Sequence, residues 1–366
     1  MPKKLDIAGI VDGVTIDHYH TLDLTLEPDP VTGFGPFLGD LVATGTTTAS
    51  VTGGGILMQL AETDNVLTTV TIIEGGSFGF PGSPSTGNYG DFVVTDIAAT
   101  ATSPTTIHSS LKLIDASATT SVMQLYAGAT NTSSEGEFHK GSTLNSNITI
   151  TYDGLTIEGG SGQNIIENDA TNGIVTEGNH DNDDVILAGT GASAILGTGA
   201  NDQVSVGASD LGTNEAPGQA LGETVTFGTG AKATLLVGAG DLFPTSGQGA
   251  EAGPTAGTQN IGQTNVNGAA AGMTIDFHIV TTSSTISDET NAATVAAATT
   301  LTAKENAAVV ALGGPGVAYF TYQGDEYFIA TNTTETLGVG FNDAVVHLVG
   351  VQFSHPANSG GIVTLG

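Results

Sequence analysis

The chain has 366 residues, with 37 acidic against six basic side chains and a formal net charge of −31 at pH 7. All six basic residues are lysine; arginine, cysteine and tryptophan are absent, and glycine fills 53 positions. A phosphate backbone is held by Lys and Arg that displace its counterions, so this balance excludes nucleic acid and disfavours anionic membrane surfaces. A charge this large also repels itself, so the compact state should gain from bound cations, and Ca²⁺ suits flexible oxygen ligands best. The competing reading is that acidity only keeps the protein soluble. Apolar residues make up 39% of the chain and recur in short β-like runs, which argues for folding rather than disorder.

The opening stretch, MPKKLDIAGIVDGVTIDHYH, meets Asp6, Asp12 and Asp17 before any apolar run long enough for a signal-peptide core. No uninterrupted apolar stretch reaches membrane-spanning length, so no membrane span is expected. Residues 1–150 read as a β-rich N-terminal domain for assembly or binding. Its strand candidates are 13–26, 56–60, 66–73, 91–97, 111–114 and 122–126, with a turn-rich loop at 79–91 (GFPGSPSTGNYGD). Two stretches ending in MQL, at Leu60 and Leu125, suggest a duplicated strand pair. In a strand, His18 and His20 share one face, which needs a third ligand to hold Zn²⁺ or Cu²⁺ and is otherwise an exposed pair.

From residue 151 to 242 short apolar pairs return at a nearly constant interval, most steps near nine residues: Leu155/Ile157, Ile165/Ile166, Ile174/Val175, Val185/Leu187, Ile195/Leu196 and Val204/Val206, then, after a gap around Asn214 to Glu223 that reads as an inserted loop, Val225/Phe227 and Leu235/Val237. Gly and Asp fill the turns between them. Such regularity predicts a β-solenoid or β-roll, each short strand burying its apolar side chains against the coils above and below. A sandwich with Gly-rich turns is the alternative. A linker-like stretch follows at 243–272, and residues 273–366 read as a small α+β module. Within it the pattern predicts a strand at 273–280, a helix over 287–312 capped by Ser287 and Gly313, a hairpin turning at Gln323-Gly324-Asp325, and strands at 344–351 and 361–365.

The sharpest local match is GGSGQNIIE at 159–167, which reads as the nonapeptide GGxGxDxUx with Asn164 in the Asp position and Ile166 as the buried apolar residue. Two glycines permit the tight turn, and the side-chain oxygen with turn carbonyls would cage Ca²⁺ between coils. Degenerate units follow: NHDNDDVIL with Asp184 and Ile186, AGTGASAIL with Ser193 in the Asp slot and Ile195, and GTGANDQVS with Asp202 and Val204. At these residues the chain resembles the RTX-type, type I secreted bacterial surface proteins. The segment from Phe320 to Ile329, after an Ala-rich helix and before Asp343 to Gly350, is similar to the terminal module of S-layer proteins of that kind. The resemblance implies calcium, an extracellular place at the cell surface or in a matrix, and an uncleaved C-terminal export signal. The ligand candidates under that reading are Asn164, Asp169, Asp181, Asp183, Asp184, Asp202 and Asp241. The eroded repeats depart from the family pattern, and Asp and Asn also favour plain solvated turns.

No HExxH motif or phosphate loop occurs. A paired-carboxylate glycosidase is not decided by spacing, but the dearth of Trp and Tyr argues against a sugar-stacking cleft. The expectation is therefore a non-enzymatic, secreted structural protein that self-assembles into a surface layer, filament or matrix, with its own copies and cell-surface polysaccharide as partners. An adhesin binding glycans or cells is the runner-up, and a secreted hydrolase comes third.

Overall fold

The computed structural model describes residues 2–27, 36–83, 88–90, 92–95, 105–128, 131–132, 148–187, 191–206, 222–237, 263–277, 280, 285–289, 292–331, 343–353, 357–359 and 361–366. Among the described residues the fold is mainly β, built on long parallel sheets with two short helices, and it is a solenoid as the nine-residue spacing predicts. The chain divides into two compact units, 1–194 and 195–366.

In unit 1 successive strands alternate between two parallel sheets. β1 (Lys3–Ala8), β2 (Ile10–Asp17), β3 (Thr21–Glu27) and β4 (Phe37–Thr44) set the pattern: β1 pairs with β3 in one sheet and β2 with β4 in the other. Short corners such as Gly9, at φ 74°, connect them. One circuit therefore contributes one strand to each sheet, and the nine-residue spacing is half a coil. In the tightest coils hydrogen-bonded neighbours lie 19 residues apart, and where loops are inserted 27 or 47. In unit 1, coil stacking thus extends from the 151–187 strands back to Lys3. The ladders cross residue 150 without a break, Leu113–Asp115 pairing with Thr156–Glu158 and Met123–Ala127 with Asn164–Asn168.

In-register parallel pairing stacks like on like. In the first sheet Leu22, Ala49, Val70, Ile114, Ile157 and Val175 form one buried column; in the second Leu38, Leu57, Phe78, Leu125, Ile166 and Val185 form another. The buried face of each sheet is the one turned into the coil, because consecutive strands are joined by turns too short to place it elsewhere. Each fully buried aliphatic side chain contributes roughly 1.5–3 kcal/mol, and coils are stabilised chiefly by their neighbours. The two MQL stretches do lie in the same sheet, but Leu125 stacks in the column of Leu57 rather than of Leu60.

Three local expectations are corrected. The run 13–26 is two strands meeting at a corner, where His18 sits at φ 61°, so His18 and His20 do not share a strand face. His18 Nδ1 instead lies 2.7 Å from Asp17 Oδ1, exposed to solvent. The loop at 79–91 contains a short antiparallel pair, Phe80–Ser83 with Asn88–Gly90. The linker-like stretch ends early: Gln263–Asn267 is a coil strand, with Val266 beside Val225, and the next strand of the other sheet is Thr274–Phe277.

In unit 2 the parallel coils give way to a mixed sheet. Gln263–Asn267 pairs parallel with Asp343–Leu348, then Asp343–Leu348, Asp325–Thr331 and Gly316–Tyr322 pair antiparallel, and Thr285–Asp288 joins parallel at the edge. The hairpin turn is at Gln323 and Gly324, both with positive φ as a two-residue primed turn requires. The single helix expected over 287–312 is two, α1 (Ala293–Ala297) and α2 (Leu301–Leu312). Ser287 is not a cap, because it pairs with Ala318 in a parallel ladder. Ala298 turns extended, and Thr300 caps α2 by accepting from the Ala303 N–H, a use of Thr that helix interiors disfavour. Gly313 closes α2 in the left-handed conformation, as expected. Val295, Ala308 and Val309 of the helices pack on Ala318, Phe320, Tyr327, Ile329 and Val345.

Candidate metal centre at the stacked turns

At one corner of unit 1 three turns stack: 116–122, 159–163 and 177–183. Ser161 N–H donates to Thr119 O at 2.9 Å, Met123 N–H to Gln163 O at 2.9 Å, and Gln163 Nε2 to Asn182 O at 3.0 Å. The glycines make this stacking possible. A Cβ on Gly160 would fall onto the Thr119 hydroxyl, and one on Gly159 onto the Glu177 carboxylate. Asn182 takes a left-handed φ of 66° and so aims Asp183 inward at the start of its strand.

The turns deliver oxygens to one point. Asn164 and Asp183 are fully buried and Glu177 is 6% exposed. Asn164 N–H donates to Asp183 Oδ1 at 2.8 Å. Around the Asn164 side-chain nitrogen converge Glu177 Oε2 at 2.7 Å, Gly162 O at 2.8 Å, Gly160 O at 3.2 Å and Asp183 Oδ1 at 3.5 Å. An amide has two hydrogens, so it serves at most two of the four acceptors. The buried Asn164 Oδ1 and Thr119 Oγ1 accept or donate no hydrogen bond. Among the described residues of unit 1 beyond β1 one lysine occurs, Lys112, and its ammonium donates to the Asp153 carbonyl.

Burying two carboxylates beside an amide costs several kcal/mol per ion without a compensating cation. The donor set is all oxygen, from two carboxylates, one amide and turn carbonyls, which is the chemistry Ca²⁺ takes at about 2.3–2.6 Å. These oxygens lie 2.7–3.5 Å from the amide nitrogen, which itself fills the point where they meet, so a cation would take that place only with the Asn164 side chain turned aside to offer its Oδ1. In donor chemistry the residues suit a hard divalent cation. Among the described residues no group of three or more His, Cys, Asp and Glu side chains converges, so amide and carbonyl oxygens have to complete any such site.

The candidates read from sequence separate in space. Asn164 and Asp183 come together. Asp184 is the ladder neighbour of Ile165 on the outward face, with its carboxyl raised by partial burial. The units NHDNDDVIL and AGTGASAIL are therefore read one residue out: Asp183 and Val185 are buried where Asp184 and Ile186 are expected, and Ala194 is buried while Ile195 is 47% exposed. Asp181 is exposed in its turn, and Asp169 follows the far end of the strand Asn164–Asn168. In unit 2 Asp202 is buried after left-handed Asn201, the same local arrangement as Asn182 and Asp183, and Val204 is buried as expected. Asp241 lies outside the described residues. Sequence reasoning missed Glu177. The signal for Glu177 is the glycine at 159, which leaves the space its carboxylate fills.

A second polar cluster, in unit 2, closes the C-terminal sheet. His347 Nε2 donates to Asp325 Oδ2 at 2.8 Å, its Nδ1 lies 3.0 Å from Gln263 Nε2, and its ring stacks on Tyr327 at 4.4 Å. The His347 hydrogen bond, with the Gly350 N–H, holds the Asp325 carboxyl below its usual range. Among the described residues no helix is long and apolar enough to cross a membrane. Compared with known proteins, the chain matches no family model and no curated sequence.

Proposed function

We propose that the protein is a secreted structural protein that self-assembles, stabilised by calcium, into a surface layer, filament or extracellular matrix. The observation that carries this reading is the oxygen cage at Asn164, Glu177 and Asp183, built by stacked turns in a chain of net charge −31. Cations bound between coils would offset the self-repulsion of the acidic coils and set their stacking, which is what a load-carrying solenoid needs. The resemblance to type I secreted surface proteins supports an extracellular place and an export signal near the C-terminus. Negative-stain micrographs and light scattering should show ordered lattices or filaments in millimolar-range calcium that disperse on chelation. A monodisperse monomer under both conditions would sink the proposal. The adhesin reading is favoured by one feature, a groove of about 440 Å³ on the outer face of unit 1 between Pro36, Phe37, Ile56 and Val122, where a glycan could stack on Phe37.

A further inference from the structure

Among the described residues β1 pairs only with β3 and β2 only with β4, so both sheets of unit 1 present an open backbone edge at the same end. The apolar face is only partly covered there: Ile7 and Ile16 are buried at 6% exposed, but others are not. Leu5, Val11 and Val14 are half-buried, whereas their ladder neighbours in the next coil, Leu24, Leu38 and Leu41, are at most 1% exposed. Ile10, on the same edge, is 69% exposed. Half-covered apolar side chains at the end of a stacked-coil core gain from a cover.

The sequence of β1, KKLDIA, is complementary to itself. Antiparallel pairing centred on Leu5 sets Leu5 against Leu5 of the second copy, and Lys4 against Asp6 in both directions, on outward positions where both side chains are exposed. Two of the chain's six lysines lie on this strand. In a chain this acidic, the Lys4 and Asp6 pairs compensate charge along β1, beside Asp12 and Asp17 of β2. We propose that two copies join end to end through a twofold axis that sets β1 antiparallel to its mate about Leu5, with β2 beside its own mate covering Val11 and Val14. This rests on the self-assembly reading and names its first contact, one that needs no calcium, since none of these residues belongs to the oxygen cage.

The absence of native cysteine provides a register-specific test. Directly opposed residues of an antiparallel pair have Cα atoms about 4.5–5.5 Å apart, within disulfide reach, and residues three places from the centre do not. In chelator, full-length Leu5→Cys should form a covalent dimer under mild oxidation and Ala8→Cys should not. Lys4→Glu should weaken the dimer, followed by analytical ultracentrifugation, about tenfold or more, and Lys4→Asp with Asp6→Lys should restore it, with circular dichroism unchanged throughout. A wild-type monomer in chelator, equal crosslinking at positions 5 and 8, or a dimer indifferent to Lys4→Glu overturns the proposal. If lattices form in calcium while the chelated protein is monomeric, end-to-end pairing fails and the assembly reading stands. Dimers that never grow in calcium sink the assembly reading and leave the pairing intact.

Discussion

Asp183→Asn separates a calcium site from an ordinary buried turn, because its sign should depend on the ion. Asp183 is fully buried, and its Oδ1 accepts the Asn164 N–H at 2.8 Å. Asparagine keeps an acceptor oxygen there and removes the charge. In chelator the variant should be as stable as the wild type or more so: part of a hydrogen bond worth about 1.5–3 kcal/mol is retained, while a desolvation cost of several kcal/mol disappears. With calcium at a hundredfold excess over its dissociation constant, binding stabilises the wild type by about 2.7 kcal/mol, and the variant should forgo most of that. For a unit of this size, at about 2–4 °C per kcal/mol, the loss is about 5–10 °C in the unfolding transition. Calorimetry in calcium and in chelator measures it, with hydrogen exchange at the Asn164 amide as a local reading, since stacked coils need not unfold in two states. A wild-type transition indifferent to calcium, or a variant destabilised equally in both buffers, refutes the reasoning.

Two further outcomes follow from the same structure. Asn164→Asp puts a third carboxylate into the cage, so the chelated protein should lose stability while calcium binds at least about tenfold tighter by titration calorimetry; unchanged affinity would place the cation elsewhere. Burial lifts the Glu305 carboxyl to about 7, against an ordinary 4.5. The folded state then holds a proton that the unfolded state has released. This contribution is fully present below about pH 4.5 and is lost as pH rises to about 7, a change on the order of 3 kcal/mol. Glu305→Gln should remove that slope from the unfolding of unit 2 and raise its stability at pH 8; a slope that persists in the variant assigns it to other groups.

Apolar pairs every nine residues, divided by Gly and Asp, are enough to define a coil, because a short strand can bury such a pair only against copies of itself. The hairpin at Gln323-Gly324 and the cap at Gly313 are equally legible, since positive φ restricts the residues that occupy them. The extent of the coil is not: insertions that stretch the spacing from 19 to 47 residues hide the same geometry in the first 150 positions. Nor is the face each residue takes. In the run DDVIL nothing alternates, so Asp183 or Asp184 can equally point inward, and a slip of one residue exchanges the two faces. Only the ladder to Asn164 and Ile166 decides it. Glu177 joins the cage because Gly159, in the coil before it, leaves room for its carboxylate. Repeat spacing carries the coil; stacking of one turn on the next decides which oxygens meet.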